Sequence, residues 1–290
     1  MSKKFLSVLS IILACILADP VSVSAATSVS APSAHDAGAP VPSSIVWQDI
    51  GRGAQLARIH ARLFDSVQSV SVLRYPAKRL KMHIINDPGP DADSTGALAT
   101  RHRALAAVNG SYFNVRKLTP VTFVKERRRV EGRTTSGETF RTDGLLLADG
   151  HDVRITYCDT LNYDNATKSC KYALAAGPVL LIGGWEARDE WPSGSFYTKR
   201  HPRTIVGTSS DGWVYLVVID GRAPGEADGA TIHEAALIAR LLGIEDAINL
   251  DGGGSSTLWT KSDGVVSYPC DNRQYDHLGQ RKVPNVVIIR

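Results

Sequence analysis

An α+β fold, a strand-rich mixed sheet core with few helices and one βαβ crossover carrying the site, is predicted by three features of this 290-residue sequence. Short runs of β-branched and aromatic residues recur along it, bounded by Gly, Pro, Asn and Asp, as strands are. Only two stretches read as helices, Ala97 to Ala106 and Thr231 to Leu242. Between Trp213 and Asn249 a strand, a helix and a second strand follow one another, which makes a crossover with parallel strands.

Taken in order, the chain opens on Lys3 and Lys4 before an apolar stretch from Phe5 to Ala18, the length of a signal-peptide core and too short to span a bilayer. Residues 1–25 are therefore expected to be removed after Ala25, with Val23 and Ala25 as the small-residue signal, in a secreted or periplasmic protein. Ile12-Leu13-Ala14-Cys15 resembles a lipoprotein box, but Leu13 is large for its place, so a lipid anchor at Cys15 is the lesser alternative. Residues 26–44 have linker composition, rich in Ala, Ser, Pro and Val. A globular domain is expected over 45–290, with no transmembrane segment in the mature chain.

Val70 to Tyr75 and Lys81 to Ile85 read as strands with a turn at Pro76-Ala77-Lys78. Lys125 to Arg129 is a basic run without interleaved aromatics, expected as a solvated hairpin face. Asp143 precedes the buried run Leu145 to Leu147, where it could face a pocket or simply make an Asp-Gly turn. Cys158 and Cys170 bracket a polar loop that a disulfide would staple in an oxidising compartment, although sequence alone does not fix the pairing with Cys270. Gly177-Pro178 interrupts the apolar run from Leu174 to Ile182, implying a bend or a backbone close to a ligand.

Trp213 to Ile219 is apolar throughout, as in a central strand buried on both faces, and ends in Asp220-Gly221-Arg222. The helix after it places Ile232, Ala235, Ala236, Ala239 and Leu242 on one face, with Gly243 as its stop. The second strand runs through Ala247-Ile248 into Asn249-Leu250-Asp251-Gly252-Gly253-Gly254-Ser255-Ser256. Three consecutive glycines cost folding entropy, so they imply positive φ or a close approach of something to the backbone. Their amides could form an anion-binding concavity, with Ser255 and Ser256 adding donors. Parallel strands would bring Asp220 and Asp251 to one carboxyl-terminal edge, where α/β sheets place ligands.

The composition is globular at 43% apolar and 21% charged residues. A net charge of +4, dispersed along the chain, does not call for nucleic acid as a partner and mildly favours anionic ligands. No Cys-x-x-Cys or clustered His pattern indicates zinc.

Several boxes, in order, resemble the phosphodiester glycosidase domain over roughly residues 70–290: Ala107-Val-Asn109-Gly-Ser-Tyr-Phe113, Ala176-Gly-Pro178, Arg203-Thr204, Asp220-Gly221-Arg222, the helix start Gly229 to Glu234, and Asn249 to Ser256. Ser111 stands where the family has a second glycine. The resemblance implies a hydrolase that cleaves the glycosidic bond of a sugar-1-phosphodiester in a surface or extracellular glycopolymer. The family also includes bacterial proteins associated with exopolysaccharide. Arg203 is the natural phosphate clamp, because guanidinium binds phosphate bidentately. Thr204, Arg222, Asn249 and the Gly252–Ser256 turn join it in the family's boxes, and Asn109 is placed in the pocket. Asp251 and Asp220 are the candidate carboxylate pair, one protonated through mutual repulsion, on the template of two-carboxylate glycoside hydrolysis. Glu234 is a secondary catalytic candidate, although Thr231-x-x-Glu234 is also a capping box. His201 and His233 border the boxes.

No cofactor is required by these residues. A divalent cation is an option, since Asp220, Asp251, Asn249 and a phosphate would make an all-oxygen site, but no calcium-loop spacing is present. Two other readings remain: a non-catalytic carbohydrate-binding or envelope-assembly protein of the same fold, and a serine hydrolase using Ser255 or Ser256. The latter lacks the Gly-x-Ser-x-Gly elbow.

Overall fold

A computed structural model describes residues 45–290; the expected signal peptide, Cys15 and the linker 26–44 lie outside the described residues. Three large sheets make the fold, beside two two-stranded ones. The largest has eight strands in the order Gln48–Gly51, Ala54–Leu63, Ser66–Pro76, Trp213–Ile219, Arg203–Thr208, Asp246–Asn249, Val179–Ile182 and Trp185–Glu186. A five-stranded sheet runs Arg129–Gly132, Val124–Glu126, Tyr172–Ala176, Gly144–Asp149 and Asp152–Tyr157. The other five-stranded sheet runs Gly264–Val265, Leu258–Thr260, Ala106–Asn109, Asn285–Ile289 and Met82–Asn86. The predicted strand-rich α+β character is what the molecule shows.

The crossover is present, split by one strand. Trp213–Ile219 leads through the Ile232–Leu241 helix to Asp246–Asn249, and both strands pair antiparallel with Arg203–Thr208 between them. They are parallel to each other but not hydrogen-bonded. A helix about 10 Å across covers two strand spacings of about 4.8 Å each, so the inserted strand fits beneath it. The central strand is apolar throughout because both faces are covered. Val214, Leu216 and Val218 point into the core where the three sheets meet, alongside Leu73, Val108 and Leu146. Tyr215, Val217 and Ile219 face the helix, whose alanines Ala235, Ala236 and Ala239 let it lie close. The helix begins at the Thr231–Glu234 capping box and stops at Gly243, which has φ +81°.

Gly177-Pro178 carries the chain from one sheet to another: Tyr172–Ala176 belongs to a five-stranded sheet and Val179–Ile182 to the eight-stranded one. The strands around Val70 and Ile84 likewise lie in different sheets. The expected hairpin at Lys125–Arg129 forms, but Lys125 turns inward and its Nζ donates to the Thr167 carbonyl at 2.6 Å.

The predicted disulfide is absent. Cys158 and Cys170 are free thiols, as is Cys270. Cys170 is buried against Phe123, Leu145 and Tyr163, and Cys158 packs at the edge of the same cluster with its Sγ turned to the neighbouring Asp159 carbonyl. The loop between them is held by other means, a Tyr163–Ala166 helical turn and the Thr167 bonds to Tyr163 and Lys125. Among the described residues no helix is long and apolar enough to cross a membrane.

Candidate active site

Asp251 follows the Asp246–Asn249 strand and is fixed at its backbone from another sheet. Its N–H donates to the Gly110 carbonyl at 3.1 Å, and its carbonyl accepts from Asn109 Nδ2 at 2.7 Å. Asn109 Oδ1 in turn accepts from Thr204 Oγ1 at 2.8 Å and from the Thr257 N–H at 3.2 Å. Asn109 and Thr204 are thus fully buried and position Asp251 rather than face a ligand. Asn249 is also buried, and its Nδ2 ties the Gly177 carbonyl (2.9 Å) to the Tyr112 hydroxyl (3.2 Å). The sequence boxes converge because they brace one another.

A cavity of about 240 Å³ opens in front of Asp251. Its walls carry Tyr112, Phe196, His201 and four arginines: Arg141, Arg203, Arg222 and Arg281. Arg203 is 2% exposed, and its guanidinium donates to three backbone carbonyls, those of Ala230 (2.9 Å), Phe196 (2.7 Å) and Lys199 (3.2 Å). Neither Arg203 nor Arg222 has an ion-pair partner among the described residues. A buried cation satisfied only by neutral carbonyls is undercompensated, and burial pushes Arg203 down to about 10. Arg141 pairs with Glu138 at 2.6 Å and stacks 3.9 Å over the Tyr112 ring; Arg281 pairs with Asp271 at 2.5 Å. Even so, the pocket keeps an excess of positive charge fitted to an anion.

The glycines admit these guanidiniums. Gly253 has φ +63°, and a Cβ there would come within 2.9 Å of Arg222 Nη2; at Gly254 a Cβ would lie 2.5 Å from Arg281 Nη2. Three of the five amides of the turn are not free for the anion-binding concavity expected from its composition. The N–H groups of Gly253, Ser255 and Ser256 are spent on the carbonyls of Pro202, Gly252 and Gly253. Side-chain guanidiniums stand against the turn instead. Ser255 and Ser256 are buried in the wall behind, Ser255 beside the Asp251 carboxylate.

Desolvation at the cavity wall pushes the partly buried Asp251 carboxyl up to about 6, against the opposing influence of Ser255, Arg141 and Arg281. His201 is held below the ordinary imidazole range, first by burial and then by Arg203 and Arg222. The expected Asp251–Asp220 pair is not formed. The intervening strand sets the two chain segments about 10 Å apart, and the Asp220 carboxylate has its own partners, Ser69 Oγ and the Tyr268 N–H, each at 2.8 Å. Burial, not repulsion from Asp251, pushes Asp220 up to about 7. Asp220, Asn249 and Asp251 therefore do not converge as cation ligands, and no group of three such acidic, His or Cys side chains does so among the described residues.

A raised carboxyl costs stability as pH rises from its unfolded value near 4 to its folded value, and the full cost persists above that. Asp220→Asn removes the charge, keeps the Tyr268 N–H bond at its amide oxygen and meets Ser69 by reversing the other bond, Nδ2 donating to Oγ. Its thermal midpoint is expected to exceed that of the parent at pH 8 and to match it near pH 4, measured by thermal scans at the two pH values. A lower midpoint at pH 8 would show that the ionised form is required for folding.

Glu234 is a cap and an ion-pair partner, not a pocket group. One oxygen accepts the Thr231 N–H at 2.9 Å, and both accept from Arg200. Glu234→Gln is expected to leave turnover within about 2-fold and to cost about 1 kcal/mol in a denaturant titration. A large loss of turnover in a stable variant would restore a chemical role. Asp143 also leaves the pocket. It accepts the Val179 N–H at 2.8 Å and Arg188 Nη2 at 2.5 Å, and lines a different cavity of about 540 Å³. Arg141 and Arg281 went unforeseen because nothing local marks them, whereas Phe196 belongs to the aromatic loop 185–197, whose composition suits a pocket rim. The one available signal was the glycine triplet's need for a close neighbour.

The pocket thus gathers guanidiniums around a single carboxylate, Asp251. Residues 102–290 match the phosphodiester glycosidase family, and the chain belongs to it, as its boxes indicated. Among curated relatives, the mouse N-acetylglucosamine-1-phosphodiester alpha-N-acetylglucosaminidase is 33% identical over 106 residues, 36% of this chain and 20% of that protein. The SPbeta prophage-derived uncharacterized protein YomE of Bacillus subtilis is 26% identical over 204 residues, 56% of this chain and 32% of that protein. The chain thus spans a third or less of these relatives' lengths. The catalytic domain of the zebrafish N-acetylglucosamine-1-phosphodiester alpha-N-acetylglucosaminidase superposes with a TM-score of 0.65 at 17% identity, covering 86% of this chain and 85% of that one. A hypothetical protein from Synechocystis gives 0.63 at 14% identity, with 87% and 64% covered. At such identities the structural likeness speaks for the fold.

Proposed function

We propose that this chain hydrolyses the glycosidic bond of a sugar-1-phosphodiester, acting outside the cytoplasm on a surface or extracellular glycopolymer. The observation that carries this reading is the buried, carboxylate-free Arg203 within an arginine-lined pocket that holds one carboxylate, Asp251. The export part rests on the sequence of residues 1–25.

In this reading the diester phosphate sits against Arg203 and Arg222, with Arg141 and Arg281 flanking it. Water attacks the anomeric carbon and passes a proton to the Asp251 carboxylate. The bond from that carbon to the phosphate oxygen breaks, its electron pair going to the oxygen. The products are free sugar and a phosphomonoester. The guanidiniums stabilise charge on the departing phosphate, so the leaving oxygen needs little help from an acid. His201, held neutral, can accept a hydrogen bond from the same water.

Hydrolysis in oxygen-18 water, followed by mass spectrometry, tests the assignment. Label in the sugar is expected. Label in the phosphate would move the attack to phosphorus. Because the base must be ionised, kcat is expected to rise as pH rises through about 6 and then level off. A fall through that range would instead make Asp251 a proton donor.

A further inference from the structure

The segment Asp220–Arg222 reaches two cavities. Arg222 lines the arginine pocket, while the Asp220 carboxylate is bonded to Ser69, which lines a second cavity of about 280 Å³. The loop leading to Arg281 does the same: Arg281 faces the first cavity, Tyr268 and Tyr275 the second.

The chemistry of the second cavity differs from that of the first. Its aromatic wall is the Tyr268 ring, which stacks on Tyr275 at 4.0 Å and 14° and also packs against His277 at 4.3 Å. Its polar wall mixes signs and senses, with Arg58 opposed by Glu226, His60 bonded to the Glu226 carbonyl, and the Ser69 hydroxyl. Arg58 is further offset by Asp263 at 3.4 Å. Balanced charge disfavours a phosphate. Tyrosine rings beside hydroxyl, imidazole and carboxylate groups suit a ligand with one apolar face and a rim of hydroxyls that both donate and accept. The volume lies at the small end for ligand sites, enough for one sugar unit.

Asp220 supplies a second line of support. A wholly buried carboxylate that takes no part in the reaction costs stability, yet it is bonded to Ser69 Oγ, beside the Tyr275 hydroxyl. A chain of hydrogen bonds thus runs from the buried acid to the cavity. An acceptor of that strength fixes the direction of the Ser69 hydroxyl, whose oxygen receives the Tyr275 hydroxyl and keeps a second lone pair for the ligand.

We propose that this cavity is a subsite for one neutral sugar of the glycan carried beyond the phosphodiester, held on the Tyr268–Tyr275 pair and the Ser69 hydroxyl. The inference rests on the hydrolase reading only for where that glycan comes from; the binding itself does not depend on turnover. The test is a titration of the purified protein with cellobiose, maltose and diacetylchitobiose, all neutral and free of phosphate, followed by amide NMR. At least one is expected to shift the Ser69 and Tyr268 signals saturably while leaving Gly253 and Gly254 unmoved. Tyr275→Ala, at a half-exposed position, is expected to weaken that binding about tenfold or more, and Tyr275→Phe less. Failure of all three sugars to shift those signals, or shifts that survive Tyr275→Ala, would overturn the proposal. Sugar binding at Ser69 without phosphodiester turnover would retain the subsite and remove the hydrolase reading; turnover without sugar binding would do the reverse.

Discussion

Asp251→Asn is expected to lower turnover about 10³-fold while leaving the thermal midpoint at pH 7 equal to or above that of the parent. The amide is isosteric, and the backbone bonds to Gly110 and Asn109 that hold residue 251 do not involve the side chain. What the substitution removes is a carboxylate that can take the proton from attacking water. It also removes a destabilising charge. The Asp251 carboxyl is pushed up to about 6 from an ordinary value of 3.8, and each unit of such a shift is worth about 1.4 kcal/mol. The sign follows from linkage: between the two values the unfolded chain ionises first, so the native state loses stability as pH rises and carries the full cost above about 6. The asparagine variant escapes this, and its advantage should vanish near pH 4. Turnover assays beside thermal scans at both pH values separate the effects. Equal loss of activity and folding would return Asp251 to a structural role.

Arg203→Lys carries the other large effect. Lysine keeps the charge but not the planar fork, and an ammonium cannot reach the Ala230, Phe196 and Lys199 carbonyls while still meeting a ligand. Breaking one side of a buried, hydrogen-bonded charge contact costs about 2–5 kcal/mol, so kcat/KM is expected to fall about 10²- to 10³-fold. Part of the loss should appear in stability, because carbonyls left without donors are costly. Inorganic phosphate supplies a readout free of catalysis. It should raise the melting temperature of the parent by mass action and raise that of Arg203→Lys far less. The same substitution at exposed, less constrained Arg222 should cost less. A parent protein indifferent to phosphate would remove the anion from the pocket and with it the reason for a buried Arg203.

Much of this was legible in the sequence wherever a local rule applied. The continuous apolar run of Trp213–Ile219 announced a strand covered on both sides, the Thr231–Glu234 spacing announced the helix start, and Gly243 its end. Gly177-Pro178 signalled a break, and the break proved to be a transfer between sheets. Where two long-range placements had to be combined, local reading went astray. Asp220 and Asp251 do end parallel strands, but nothing between residues 213 and 251 says that Arg203–Thr208 lies between them. That one inserted strand turns a carboxylate pair into two separate acids. Cys158 and Cys170 suggested a staple by spacing, whereas the orientation of each side chain depends on packing that spacing does not encode.

Propensity, periodicity and ordered motifs are properties of neighbouring residues, so the strand-rich fold, the family and the glycine turn after Asp251 could be read without coordinates. Tertiary structure alone decided what the turn is for. Arg141 and Arg281 come from distant parts of the chain to meet Tyr112, Gly254 and Asp251 in one cavity. Charges brought together by folding leave no periodic trace, and the field they create exists only once the chain has closed around it.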